Sequence, residues 1–259
     1  MAALNDRSVS IGRIFSRAFG VMGSNPLVLF GVSLVLGALP QILLNAVLGF
    51  DQTNRLGLTQ TERLAQGVFS MLLSIVLQSI VVGCVTRATV AFSQGRKASL
   101  GECLSLALSR VVPVIVVSIL YGLGVAIGSV LLLVPGIIVA IMWVVVVQVT
   151  VEEDAGIFGA FGRSRFLTKG ARWKIFGLIL LLIVLGIVIG IVGALFSGLL
   201  IGISYTNPAV ALTPGALIFN VIFSTIISAL WSALQTSVFV ELREWKDGPM
   251  EAKLGEIFE

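Results

Sequence analysis

Long apolar stretches, almost free of charged residues, constrain this chain more than any other feature. They cover residues 27–50, 64–92, 112–134, 136–151, 175–203 and 215–240. The hydrocarbon core of a bilayer is about 30 Å thick, and a helix needs roughly 20 apolar residues to cross it. The fourth stretch is short, so it either spans or re-enters and leaves on the same side. We predict an all-α integral membrane protein with about six transmembrane helices.

The overall composition supports this class and disfavours others. Of the 259 residues, 57% are hydrophobic and only 12% are charged, and the chain contains no histidine. Histidine is the commonest general base and a principal metal ligand, so we predict a non-enzyme with no cofactor and no metal site. Cys84 and Cys103 lack a CxxC spacing and are interpreted as plain buried or interfacial thiols. The basic residues lie between apolar stretches, so we expect no nucleic-acid partner.

The basic residues are distributed asymmetrically between the two sides of the predicted membrane. All but Arg55 and Arg63 of the 17 lysines and arginines fall on one side. Because cytoplasmic loops carry an excess of lysine and arginine, we predict that both termini are cytoplasmic. The expected location is the bacterial inner membrane, as a multi-pass protein.

A short segment with helical periodicity precedes each pair of apolar stretches, which predicts three repeats. The positions that keep this spacing are Ile11, Ile14, Phe15, Ala18, Phe19 and Met22, then Leu100, Cys103, Leu104, Ala107, Leu108 and Val111, then Ile157, Ala160, Phe161 and Ser164. Ser99 and Glu102 form a candidate capping box at the second. Each segment is predicted to be an amphipathic helix in the headgroup plane on the cytoplasmic side.

These observations define the predicted domain organisation. Residues 1–259 form a single membrane domain with repeat units at about 8–94, 98–151 and 155–240 and a short cytoplasmic tail at 241–259. Each unit consists of one interfacial helix followed by a helical hairpin. Parallel repeats are related by an axis along the membrane normal, so we predict a pseudo-threefold bundle.

The fifth stretch carries a small residue at every fourth position. These residues are Gly186, Gly190, Ala194, Gly198 and Gly202. Such spacing forms one groove in which another backbone can approach closely. We predict a helix-packing groove, filled either by a helix of the same chain or by a second copy in a homo-oligomer.

Polar residues within the apolar stretches form a second candidate set. We select Asn45, Gln78, Asn220, Ser224, Ser228 and Ser232 as candidates for lining a polar cavity. Amides are costly in lipid and should point inward. The alternatives are hydrogen bonds between helices for the amides, and a small-residue packing face for the serines, whose hydroxyls can bond back to the preceding turn.

Basic residues at the predicted cytoplasmic boundary are candidate contacts to anionic lipid headgroups. They are Arg13, Arg17, Arg87, Arg163, Arg165, Lys169 and Arg172. The acidic triplet Glu152, Glu153 and Asp154 is interpreted as favourable charge at the start of the third interfacial helix, because consecutive carboxylates on a helix do not converge on one metal.

Three segments resemble a known family. They are Val134-Pro135-Gly136-Ile137-Ile138, the run Ser164-Arg165-Phe166-Leu167-Thr168-Lys169-Gly170 leading to Trp173, and Glu241-Leu242-Arg243-Glu244-Trp245-Lys246-Asp247-Gly248. They look like the bacterial membrane domain of glycerophosphoryl diester phosphodiesterase. The resemblance implies an all-helical inner-membrane protein. Some members carry a fused phosphodiesterase domain that uses histidines and a metal, so with no histidine here, no functional residue carries over.

Two functions are compatible with these features. The first is a non-enzymatic membrane module that organises or senses the bilayer or supports membrane-protein partners. The alternative is a channel or facilitator with a passage lined by the polar candidates. A lipid-modifying enzyme with Cys103 as nucleophile is a remote third, because no histidine can activate the thiol.

Overall fold

A computed structural model describes residues 9–40, 43, 59–201 and 214–248, with side chains for all of these except 63, 197–201 and 214–217. All regular structure in this part of the chain is helical, which confirms the predicted all-α class. The helices are α1 Ile11–Ser24, α2 Pro26–Val32 with a π-helical continuation Ser33–Ala38, α3 Gln60–Ser93, α4 Leu100–Ser109, α5 Val111–Leu131, α6 Leu133–Met142, α7 Val146–Glu152, α8 Gly156–Thr168, α9 Arg172–Ile201 and α10 Pro214–Asp247. The candidate residues Asn45 and Gly202 lie outside the described residues.

Five segments of the described chain are long and apolar enough to cross a membrane. They are Gln60–Ser93, Val111–Leu131, Leu133–Glu152, Arg172–Phe196 and Ile218–Asp247. A sixth crossing is counted if α1 and α2 act as one broken span, although they meet at 92°. The bend falls at Asn25–Pro26, because proline fits the first position of a new helix and cannot supply an amide hydrogen to a continuing one. These lengths and compositions indicate a multi-pass membrane protein.

Helix α6 packs closely against α5, and glycine permits the approach. A Cβ atom on Gly136 would lie 2.2 Å from Ser129 Oγ and 2.8 Å from Ser129 Cα. The chain reverses at Leu132, which is extended, and Pro135 fits the first turn of α6. The reversal therefore falls at Leu132, and residues 133–136 already belong to α6.

The fourth apolar stretch is interrupted between α6 and α7. Val146 N donates to the Trp143 carbonyl at 3.1 Å, so the Met142 carbonyl loses its usual helical partner. Ser164 Oγ of α8 donates to that carbonyl instead, at 3.1 Å, and Thr168 Oγ1 lies 3.3 Å from it with the Ser164 carbonyl as a nearer acceptor at 3.0 Å. Both residues are fully buried, and this bond explains why hydroxyls stand on the inner face of α8.

The three short helices α1, α4 and α8 each bury one face against another helix. Helix α4 packs against α3, α8 against α7, and α1 against α10. Their buried residues are Ile14, Ala18 and Val21 in α1, Cys103 and Ala107 in α4, and Ala160, Ser164, Leu167 and Thr168 in α8. Each short helix thus contacts the segment before it along the chain, and α1 closes the ring against the last helix. Contacts of this kind are expected of three parallel repeats, whereas the rotation relating them stays a prediction.

Candidate functional site

Arginines and carboxylates from several helices pair at one end of the bundle. We call this the charged end and define it by Arg13, Arg87, Glu152, Arg163 and Glu241. These residues belong to α1, α3, α7, α8 and α10 in that order. The pairs therefore join helices that are far apart in the sequence.

Glu241 anchors α1 to the last helix. Its side chain is only 2% exposed and accepts from Ser10 N at 3.0 Å and from Arg13 Nη2 at 2.6 Å. Arg17 Nη1 lies 3.6 Å from the same carboxylate, and Arg17 Nη2 lies 2.7 Å from Glu244. A buried carboxylate requires such partners, because an unpaired charge away from water is strongly unfavourable.

Arg87 joins α3 to two other elements. Its Nη2 lies 2.6 Å from Glu102 Oε1 of α4, and its Nη1 lies 3.3 Å from Glu152 Oε2 of α7. Glu102 also accepts from Arg96 at 3.0 Å. Hydrogen bonds from Arg96 and Arg87 lower the pKa of Glu102 to about 2. Ser99 Oγ accepts from Glu102 N at 3.2 Å, which is one of the two hydrogen bonds of the predicted capping box. The Glu102 side chain, which would form the other, pairs with the arginines instead.

The acidic triplet is a junction of ion pairs. Glu152 meets Arg87, and Asp154 meets Arg110 at 2.6 Å. Glu153 accepts from Arg163 at 2.7 Å, and Arg163 also pairs with Asp247 of α10. The carboxylates diverge as expected, but each neutralises an arginine of another segment. The role as helix-terminal charge stays a prediction, and the ion pairs add a tertiary role that the sequence did not reveal.

Four of the predicted headgroup contacts are engaged within the protein. Arg13, Arg17, Arg87 and Arg163 pair with carboxylates of this chain. The sequence held a signal for this, because Glu241, Glu244 and Asp247 recur at three-residue intervals on one face of α10. Their contact with lipid phosphate stays a prediction, and the first partners of these arginines are glutamates and an aspartate.

A second surface at the charged end is exposed and both aromatic and basic. We call it the aromatic–basic patch and define it by Phe158, Arg165, Lys169, Trp173 and Lys174. Phe158 is 83% and Trp173 is 86% exposed, and the three cations are exposed as well. Among the described residues these three cations form no ion pair. Arg172, the remaining predicted headgroup contact, is half-buried, and its Nε has no hydrogen-bond partner in the described part.

A cavity of about 450 Å³ lies between α3, α5, α7 and α10. Its walls are formed by Ser74, Ile75, Gln78, Ser79, Val82, Val114, Ser118, Tyr121, Trp143, Val144, Val146, Val147, Gln148 and Gln235. Gln148 is only 1% exposed, and its Oε1 has no hydrogen-bond partner among the described residues. Gln78, in contrast, is exposed. The cavity wall therefore combines amides and hydroxyls with apolar side chains and carries no charged group.

Only part of the predicted polar set lines this cavity. Gln78 lines it, whereas Asn220, Ser224, Ser228 and Ser232 are not among its lining residues. Ser224 Oγ donates to the Asn220 carbonyl at 2.6 Å, which is the bond within a helix that the packing interpretation expects. Tyr121 and Gln235 belong to the cavity although they were not in the candidate set. A channel lined by the serine row stays a prediction.

The small-residue stripe of α9 lies on an exposed face where it is described. Gly186, Gly190 and Ala194 are exposed, and added Cβ atoms on the two glycines would meet nothing within 4 Å. Packing of these positions within the chain is therefore not found in the described part. The close approach occurs at Gly193, where a Cβ atom would lie 2.4 Å from Phe223 Cζ of α10. Gly198 is helical but its surroundings are not described, and packing of the stripe against a second copy stays a prediction.

The described residues also show the surroundings of Cys103, the candidate nucleophile, and of the side chains that could bind a metal ion. Cys103 is buried, and burial raises the pKa of its thiol to about 11. In the described part of the chain, no three His, Cys, Asp or Glu side chains are grouped to hold a metal ion.

Comparisons of the chain with family models, with curated proteins and with solved structures found no match. The resemblance to the glycerophosphoryl diester phosphodiesterase membrane domain therefore stays a prediction from three sequence segments.

Proposed function

We propose that this chain is a non-enzymatic membrane module that gathers anionic lipid at its charged end, and so organises the bilayer or supports membrane partners there. In this proposal the bundle spans the bacterial inner membrane with both termini in the cytoplasm. The observation that carries the proposal is the aromatic–basic patch, in which α8, α9 and their connection carry two almost fully exposed aromatic rings and three cations without an ion pair among the described residues.

The chemistry of the patch suits a membrane interface. Tryptophan is enriched at the headgroup level, where its ring is partly apolar and its indole N–H remains wet. Each lysine or arginine near an anionic surface contributes about 1 kcal/mol of attraction. Arg165, Lys169 and Lys174 are available for this because their charges are not neutralised by carboxylates of the described chain.

The ion pairs of the charged end support a structural role. Arg13, Arg87 and Arg163 hold the short helices to the bundle. The residues of the patch on α8 and α9 are therefore carried by a bundle whose helices are held together by ion pairs. The proposal includes no catalytic step. Cys103 is buried, and its raised pKa keeps the thiol protonated, which is unfavourable for a nucleophile.

The proposal is tested by measuring lipid selectivity of the intact protein. The wild type and the triple variant Arg165→Gln, Lys169→Gln, Lys174→Gln are reconstituted in nanodiscs of phosphatidylcholine with a minor fraction of phosphatidylglycerol. Lipids retained after mild extraction are counted by native mass spectrometry. We expect the wild type to retain phosphatidylglycerol preferentially, and the variant to lose this preference by about fivefold or more for each cation removed.

A matched control is Arg96→Gln, at the charged end itself, because the charge of Arg96 is already paired with Glu102. It removes one positive charge and should leave phosphatidylglycerol retention unchanged. Equal retention by the wild type and the triple variant, or an equal effect of the control, would refute lipid gathering by the patch.

A further inference from the structure

We infer that the cavity between α3, α5, α7 and α10 is a binding site for an uncharged lipid that carries a free hydroxyl group. The inference goes beyond the proposed function and uses a different set of residues, sharing with it only the membrane location of the bundle. Its size, about 450 Å³, lies within the usual range of small-molecule pockets, roughly 300 to 1,000 Å³.

The first observation is an incomplete hydrogen bond inside the cavity. Gln148 lines the wall, is 1% exposed, and its Oε1 has no partner among the described residues. A buried acceptor without a donor is unfavourable, and natural structures almost always supply one. A ligand hydroxyl both donates and accepts, so it would satisfy this amide in either of its two orientations.

The second observation is the kind of polarity that surrounds Gln148. Gln78, Gln235, Ser118 and Tyr121 add amide and hydroxyl groups to the wall, and no lining residue is charged. A charged headgroup placed in such a cavity would lose its hydration without gaining a counter-ion. The wall therefore selects for neutral groups that form hydrogen bonds, and it disfavours phosphate and ammonium.

The third observation is the position of the cavity along the helices. Gln148 lies four residues before Glu152, Gln235 six before Glu241, and Gln78 nine before Arg87. At 1.5 Å per residue, the three glutamines therefore lie about 6 to 14 Å from the charged end. Half of the hydrocarbon core is about 15 Å thick, so these three amides lie at the depth of one leaflet.

The remaining wall of the cavity is apolar. Ile75, Val82, Val114, Val144 and Val147 provide a surface on which an acyl chain gains contacts. Gln78, which is exposed, offers a polar group where the cavity meets its surroundings. A glycerolipid without a phosphate headgroup combines the required parts, because one hydroxyl stands next to two acyl chains.

The test uses the full chain in phosphatidylcholine nanodiscs and three probe lipids. They are 1,2-dioleoylglycerol, the same lipid with its hydroxyl methylated, and dioleoyl phosphatidic acid. Retention is measured by native mass spectrometry, and the melting temperature is recorded with and without each probe. We expect one dioleoylglycerol to be retained per chain with a raised melting temperature, and both other lipids to be retained about tenfold less.

Variants of the lining residues test whether the retained lipid lies in this cavity. Gln148→Met should reduce dioleoylglycerol retention by about tenfold without lowering the melting temperature of the lipid-free protein, because it removes an unsatisfied acceptor. Gln78→Met, at an exposed position, provides a second variant whose folding is not at risk. Gln66→Met on the same helix is the matched control and should leave retention unchanged.

Three outcomes would overturn the inference. Equal retention of the methylated lipid would mean that the hydroxyl is not recognised, and equal retention of phosphatidic acid would mean that neutrality is not selected. Retention of none of the three lipids would mean that the cavity holds water only. Loss of phosphatidylglycerol gathering by the patch variant is a separate measurement, so failure of either idea is distinguishable from failure of the other.

Discussion

Arg13 and Glu241 are separated by 228 positions in the sequence, yet Arg13 Nη2 lies 2.6 Å from Glu241 Oε1. The pair fastens the first helix to the last, on an almost fully buried carboxylate. Short helices of 10 to 14 residues are marginal on their own in water, so contacts of this kind decide where α1 lies.

We expect Glu241→Gln to destabilise the protein by about 2 kcal/mol, less than a fully buried pair would lose, because Arg13 remains partly exposed. The measurement is reversible unfolding in mild detergent. Asp154→Asn is the control, since Asp154 is 82% exposed and its pair with Arg110 should contribute less than about 1 kcal/mol. Equal losses in the two variants would contradict the anchoring role of Glu241.

Arg87 and Arg96 offer a matched comparison, because both contact Glu102. Arg87→Met should cost about 3 kcal/mol, since it also leaves the buried carboxylate of Glu152 without its cation. Arg96→Met should cost less than about 1 kcal/mol, because Arg96 is more exposed and Glu102 keeps Arg87. Chemical denaturation of both variants checks the difference, and a larger effect at Arg96 would refute the assignment of Arg87 as the junction.

The stability of the protein should depend on pH through Glu102. Its pKa is lowered from 4.5 to about 2 in the folded protein, so the unfolded chain binds the proton more readily. The stabilisation is complete above about pH 4.5 and is lost as the pH falls toward 2. We expect Glu102→Gln to remove this part of the acid dependence, seen by comparing unfolding free energies of both proteins from pH 6 down. Parallel curves for the two proteins would show that the carboxylate does not contribute.

The close approach of α5 and α6 predicts a position-specific effect of alanine. Gly136→Ala places a Cβ against the backbone of Ser129 and should cost about 1 to 3 kcal/mol, because backbone atoms must move. Gly122→Ala on α5 meets nothing within 4 Å and should be neutral or stabilising by up to about 1 kcal/mol. Thermal unfolding of the pair is the test, and a stabilised Gly136→Ala would show that the two helices are not in tight contact.

Much of the fold could be predicted from local patterns. Runs of about 20 apolar residues determine where long helices form, and Pro26 and Ser99 mark helix starts that the structure shows. The connecting segments in which arginines gather could also be identified, because this requires only counting residues between the apolar runs. The three short helices were visible as apolar positions at helical spacing.

The candidate site could not be predicted in the same way. The sequence suggested lipid as the partner of Arg13, Arg87 and Arg163, and the structure pairs them with carboxylates on distant segments. It suggested tight packing at Gly190, whereas the close contact is at Gly193, one turn further and rotated by about 60° around the helix axis. Which face of a uniformly apolar helix turns inward is not encoded in its hydropathy.

The sequence by itself determined the helical class, the lengths of the apolar segments and the asymmetry of charge, because each depends on neighbours within a few turns of one helix. Tertiary structure alone decided that Glu241 would hold Arg13, that the Met142 carbonyl would need the hydroxyl of Ser164, and that Tyr121 and Gln235 would line a cavity. These depend on which helix faces meet. That choice is made by packing and by the need of buried polar groups for partners, across separations that no local pattern spans.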